Sequence, residues 1–381
     1  MPSDLPPGLV PGDDDLLTRL VVLKRRWVSP SMLEAVVAEQ ARRSAYWPLS
    51  QILQECGAIS SSQLAEIAHP QAKQTMLRAI TSEEDAFWDA PVAQSVGGVV
   101  LEEEIGRGGR GIVFRGREGS GAWVAVKFLT PHHTHDAREF TRFDLEIEAQ
   151  RRIRHEGIIP VRDAGWHGTI PYFAMDLVQG RPLTAFLDEE PSYDWTAGVV
   201  ARSARALHAS HRCGVIHRDM KPDNIMIADG GRVFVMDFGV AQVDGRTVQA
   251  SDEVVGTPAY MSPEQARGKR LLTPASDVYS LGATLYEMIT GVQPAIGKTK
   301  EETLRRVVRR RPRDPRRIWS QIPRELGEIV MWAMERSAER RYGSAEAFAD
   351  DLEAFAAGRP IHASRRPRHW LARWRRGGRS S

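Results

Sequence analysis

The chain has 381 residues, 42% of them apolar, and carries a net charge of +3; this length predicts two or three domains with enough apolar material for a sizeable core. Its two cysteines, Cys56 and Cys213, exclude a disulfide framework and a cysteine metal cluster, which fits a reducing compartment. The opening MPSDLPPGLVPGDDD lacks the basic-then-apolar order of a signal peptide, and no apolar run approaches the ~18 residues of a membrane span, so the expected location is cytoplasmic.

Residues 1–15 are rich in Pro, Gly and Asp and read as a flexible leader. Residues 16–90 read as a helical accessory domain. It contains a weak repeat, VSPSML at 28–33 and ISSSQL at 59–64, offset by 31 residues. In each copy a serine follows an apolar residue and is placed to cap a helix, while the later leucine packs, which predicts two small helical hairpins. A further helix is predicted around Gln71–Ala86 in a linker.

A different pattern begins near Val99. Between two strand-like runs stands Gly106-Arg-Gly108-Gly-Arg-Gly111-Ile-Val113. Glycines there let the backbone approach phosphate closely. A lone G-x-G-x-x-G also occurs in dinucleotide folds, but here it leads to a turn and then the strand WVAVKFL, which carries Lys127. Asp136–Arg154 reads as a helix with Phe140, Phe143, Ile147 and Ile153 on one arc. Glu146 falls inside that arc and Glu148 outside it. A carboxylate on a buried face needs a cation, which singles out Glu146. Tyr172–Met175 reads as a strand and 181–214 as helical.

The richest stretch is Val215–Gly239, VIHRDMKPDNIMIADGGRVFVMDFG. Two short β-like runs joined by Ala228-Asp-Gly-Gly231 form a hairpin signal. Asp219, Lys221, Asn224 and Asp237 would thereby converge. Carboxylate and amide oxygens suit Mg²⁺ shared with substrate phosphates, and the second carboxylate is left to hold a hydroxyl. Such a set suits phosphoryl transfer, where positioning and charge neutralisation dominate.

HRDMKPDN, DFG, the glycine loop and VAVK, in this order, resemble the eukaryotic-type protein kinases, including their bacterial serine/threonine branch. The resemblance covers about Val99–Phe355 and implies an α+β, two-lobed kinase domain over 98–357 that uses ATP and Mg²⁺. It implies that Ile105, Gly106, Gly108, Gly111, Val113 and Ala125 line the nucleotide, with Met175, Asp176 and Val178 at its adenine edge. Lys127 would hold the α- and β-phosphates with Glu146 as its partner. Asp219 would be the base, Lys221 would meet the γ-phosphate, and Asn224 and Asp237 would hold the metal. Thr257, in GTPAYMSPE, would bridge Asp219 and Lys221 through its hydroxyl, which points to Ser/Thr substrates.

The same resemblance makes 239–264 an activation segment with Thr247 and Ser251 as phosphosites and Arg218 as the phosphate's receptor. Asp277 would brace the catalytic loop and Glu264 would pair with Arg341. The helical segment is similar to accessory modules that precede kinase domains. The expected partners are protein substrates and the chain itself; dimerisation is open. Residues 358–381 form a tail, with eight arginines and no acid over 359–381, interleaved with Trp370 and Trp374. That pattern allows weak contact with anionic membrane at the inner face, and no specific nucleic-acid partner is expected. The rival reading is a nucleotide-binding pseudokinase scaffold acting through the helical domain. The intact Lys127, Asp219 and Asp237 speak for the enzyme.

Overall fold

The computed structural model describes residues 13–42, 47–69, 84–108, 111–130, 137–246 and 256–363. They form two compact units. The first takes the described residues through Arg151 with Pro160–Leu177 and Arg246; the second takes Arg152–Ile159, Val178–Gly245 and the described residues from Gly256 on.

The first unit opens with four helices, α1 (Asp13–Lys24), α2 (Pro30–Arg42), α3 (Leu49–Glu55) and α4 (Ser61–Ala68). Val21, Val22, Val28, Leu33, Val36, Leu49, Ile52, Leu53, Ile59 and Ile67 close into one core. These helices are too short to hold alone, so the shared core and their caps carry them. Ser29 accepts from the Met32 amide, and Ser60 and Gln63 form a reciprocal capping box at α4. Buried Asp15 accepts from the Leu49 amide and from Gln40, both at 2.8 Å, fastening α1 to α2 and α3.

The helices share this unit with a six-stranded antiparallel sheet of order β1-β2-β3-β4-β6-β5. Its strands are Ser95–Val96, Val99–Arg107, Gly111–Glu118, Trp123–Leu129, Val161–His167 and Ile170–Asp176, numbered β1 to β6 in chain order. The period-2 alternation of β4 decides its two faces. Val124, Val126 and Phe128 point to a face covered by Phe87 and Trp88, from a helical turn at 84–89. Ala125 and Lys127 point the other way, where α5 (Ala137–Arg152) runs.

The second unit is mainly helical. α6 spans Tyr193–Arg212 and α7 spans Pro274–Thr290, with every residue from Ser276 to Thr290 buried. α8 (Lys300–Arg309), α9 (Arg324–Ala333) and α10 (Ala345–Ala356) follow. The continuous helix read over 181–214 is corrected: Gly180–Pro182 is a strand, β7, and Leu183–Phe186 a 3₁₀ turn before α6 begins. Pro182 lacks an amide hydrogen and breaks the helical ladder there. β7 pairs with β9 (Ile225–Ala228), and β9 with β10 (Val233–Val235), as an antiparallel hairpin. A second pair joins β8 (Val215–Ile216) to β11 (Gln242–Val243). No described helix is long and apolar enough to cross a membrane.

Candidate active site

In the first unit the sheet and α5 bring one charged pair together. Lys127 Nζ lies 2.6 Å from Glu146 Oε1, with both side chains largely buried. Glu148 points elsewhere, to Arg246. Upstream, Gly106 and Val113 face each other across β2 and β3, and the Gly108 amide donates to Gly111 O at 2.9 Å. A Cβ on Gly111 would stand 2.8 Å from Lys127 Cε, so glycine there is what lets the lysine lie against the strand. Ile105 is exposed, while Ala125 and Met175 are buried. Asp176 ends β6 paired with Arg162. Val178 belongs to the second unit and is half-buried.

In the second unit the β9–β10 hairpin gathers the polar groups. Asn224 Nδ2 donates to Asp219 O at 2.7 Å, and Asn224 O accepts the Met236 amide at 2.9 Å. His217 joins the two motifs. Its Nδ1 accepts from the Asp219 amide at 3.3 Å and its Nε2 donates to Met236 O at 2.8 Å, which defines the Nε2–H tautomer. Its ring also packs on Phe238, centroids 4.7 Å apart. Thr257 closes the group. Its amide donates to Asp219 Oδ1 at 2.9 Å, and its hydroxyl accepts from Lys221 Nζ at 3.2 Å. The hydroxyl bridge to both residues is therefore corrected: the backbone amide, not the hydroxyl, meets Asp219. Gly256, at φ +114°, makes that approach sterically feasible, since a Cβ there would sit 3.2 Å from Asp219 Oδ1.

Two non-glycine residues in these motifs, Arg218 and Asp237, adopt left-handed backbone at φ 72° and 58°. Each costs about 1–2 kcal/mol, so the surroundings must hold them. Asp277, fully buried at the start of α7, does this for the first. Its carboxylate accepts the His217 amide at 2.9 Å, the Arg218 amide at 2.8 Å and His211 Nε2 at 2.7 Å. Burial pushes the Asp277 carboxyl up, yet these donors and the charge of His211 outweigh it and hold it below the usual range. Gln265 adds a bond to Arg218 O at 2.7 Å.

Glu264 and Arg341 form a bidentate pair at 2.6 and 2.7 Å, with Ser276 on the same carboxylate at 2.8 Å. Burial works against the Glu264 charge, but Arg341 holds its carboxyl below the usual range. His217, His211, Gln265 and Ser276 were not among the residues singled out from sequence. His211 and Gln265 have partners 66 and 47 residues away, and only the histidine of the HRD motif had a local signal. Thr247, Ser251, the loop tip 109–110, most of Gln71–Ala86, the leader through residue 12 and the tail from 364 lie outside the described residues.

Among the described residues no three His, Cys, Asp or Glu side chains group to hold a metal by themselves. Asn224 spends its amino end on Asp219 O, which leaves its amide oxygen as the remaining acceptor. Asp237 follows on the β10 side of the hairpin, where Gly239 N donates to its Oδ1 at 3.2 Å. One amide and one carboxylate fit a cation such as Mg²⁺ that completes its shell with phosphate oxygens and water.

Comparison with known proteins agrees with this geometry. The family model described as "Protein kinase domain" matches residues 99–352. A probable serine/threonine-protein kinase of Clostridium perfringens is 34% identical over 253 residues, covering 65% of this chain and 37% of that protein. Serine/threonine-protein kinase PknB of Mycobacterium leprae is 37% identical over 248 residues, covering 63% and 40%. The chain thus spans less than half the length of these relatives. The crystal structure of the Mycobacterium tuberculosis PknI kinase domain matches with a TM-score of 0.55 at 23% identity, covering 68% of this chain and 97% of that one.

The chain belongs to the protein kinase family. Its named relatives place it in the bacterial serine/threonine branch.

Proposed function

We propose that the chain transfers the γ-phosphoryl group of ATP to serine and threonine hydroxyls of proteins, its own activation segment included. The observation that carries this reading is the cluster of Asp219, Lys221 and Thr257. Asp219 Oδ1 is fixed by the Thr257 amide, and its Oδ2 lies 3.8 Å from Lys221 Nζ. A carboxylate so held can orient an acceptor hydroxyl and take its proton. The hydroxyl oxygen bonds to the γ-phosphorus, the bond from that phosphorus to the bridging oxygen of ADP breaks, and ADP leaves. Lys221 lies beside Asp219 and counters the charge that develops on the γ-phosphoryl oxygens. Lys127, held by Glu146, orients the α- and β-phosphates. The Gly106–Gly111 backbone would cover the phosphates, with Ile105, Val113 and Ala125 beside the nucleotide and Met175, Asp176 and Val178 at the adenine edge. Asn224 and Asp237 would hold Mg²⁺, which neutralises phosphate charge when bound.

Arg218 directly precedes Asp219, so a phosphate on Thr247 or Ser251 would gain a charge-assisted partner beside the base. The tail over 359–381 would add weak contact with anionic lipid, and dimerisation would bring two activation segments within reach of each other. The test is to incubate the purified chain with Mg²⁺ and ATP and map the products by mass spectrometry. Phosphate on serine or threonine, with Thr247 or Ser251 among the sites, is expected. Phosphate confined to tyrosine would overturn the substrate class. ATP binding without any transfer would leave the scaffold reading.

A further inference from the structure

We propose that the N-terminal helical module is a built-in brace for α5, and that Arg19 is a positioning residue for phosphoryl transfer. The inference rests on the kinase reading of Lys127 and Glu146. Arg19, buried in α1, donates from Nη1 to Asp144 Oδ2 on α5 at 3.0 Å. A second, apolar contact runs alongside. Trp166 of β5 packs against the core of the four-helix module and stacks on Phe140 of α5, centroids 4.9 Å apart and planes 20° from parallel.

Helical geometry makes these contacts relevant to the site. Phe140 and Asp144 are four residues apart, so they lie on one stripe of α5. Glu146 lies about 200° around the axis from Asp144. The helix is thus gripped on one side by the module and on the other by Lys127. A rotation of α5 that breaks either grip strains the other. Glu148 continues the first stripe by four more residues and meets Arg246, which lies within the 239–264 segment. One stripe of α5 therefore joins the module to that segment, while the opposite side of the same helix carries Glu146, the partner of Lys127. Whatever binds or unfolds the module would be felt as a change in how Lys127 meets ATP.

The experiment measures initial rates of phosphate transfer against ATP concentration for the full chain, Arg19→Ala, Asp144→Ala and the charge swap Arg19→Asp with Asp144→Arg. Each single variant should raise the KM for ATP and lower kcat/KM by roughly threefold to tenfold, the size usual for coupling between linked sites. The swap should recover most of that loss, which a general loss of packing would not allow. Asp144 is half exposed and outside the module core, so its variant decides the matter if Arg19→Ala fails to fold. Single variants within twofold of the parent chain, or a swap no better than either single change, would overturn the brace. A parent chain that binds ATP but transfers nothing would instead overturn the kinase reading on which it rests.

Discussion

The Asp219 group and the Lys127–Glu146 pair are built in different ways. Asp219, Asn224 and Asp237 sit within 19 residues of one loop and hairpin, and backbone bonds to His217, Asn224 and Asp277 hold their frame. Lys127 and Glu146 come from a strand and a helix, and their contact is a side-chain bridge at 2.6 Å. The first arrangement is fixed once the second unit folds. The second depends on where α5 lies, and α5 is held in part by Arg19 and Trp166. The groups proposed to carry the proton and the metal are thus hard-wired, while the pair proposed to orient the nucleotide is adjustable.

Breaking the fixed side should cost most. Asp277→Ala removes the acceptor of two backbone amides and of His211 in a fully buried place. Stability should fall by about 3 kcal/mol or more, as for a buried network that loses one partner, and denaturant titration would read it. Activity should fall with it, because Arg218 loses what holds its left-handed backbone.

On the adjustable side, Glu146→Gln keeps the shape but removes the charge partner of Lys127. The expected effect is a loss of kcat/KM for ATP approaching a hundredfold, the scale of a small misplacement at a reacting group. The melting temperature should fall as well, because the pair is largely buried. Steady-state kinetics with a parallel thermal melt separate the two. An unchanged kcat/KM would mean that the pair does not orient phosphates.

Acid sharpens the contrast. Asp277 and Glu264 both have carboxyls held below the usual range. Their contribution to stability is therefore complete above the ordinary carboxyl range, around pH 4. It is lost as pH falls through their depressed values, because the unfolded chain then binds protons that the folded chain does not. Glu264→Gln should remove part of that acid-sensitive share and flatten the stability profile below about pH 4. An unaltered profile would show that Arg341 does not depress this carboxyl.

The smallest effect is in the module. Ser60→Ala deletes one half of a capping box and should cost about 1 kcal/mol, read in the melt of the full chain. A larger loss, with a matching rise in KM for ATP, would extend the brace to α4.

Legibility in the sequence follows the same division. Asp219, Lys221, Asn224 and Asp237 could be picked out because a hairpin signal and close spacing place them together without knowledge of anything distant. Glu146 could be separated from Glu148 because an amphipathic helix marks its own buried arc. The His211–Asp277 contact spans 66 residues and Arg19–Asp144 spans 125. Neither leaves a local trace, since a surface arginine and a docked one look alike in sequence. Trp166 gave no sign that it would touch both the module core and Phe140 of α5. The hydroxyl assigned to Thr257 missed because sequence names a side chain but not whether its backbone arrives first. The 3₁₀ turn at Leu183–Phe186 was read as helix because four apolar and small residues fit either period.

The most direct measurement is transfer of label from γ-³²P-ATP with Mg²⁺ to the chain itself and to a generic basic protein acceptor, for the parent chain and Asp219→Ala. Transfer by the parent that falls at least about a hundredfold in the variant, with nucleotide binding unchanged, is the predicted result. Equal transfer by both would contradict the role of Asp219 and, with it, the division between a fixed chemical group and an adjustable nucleotide group.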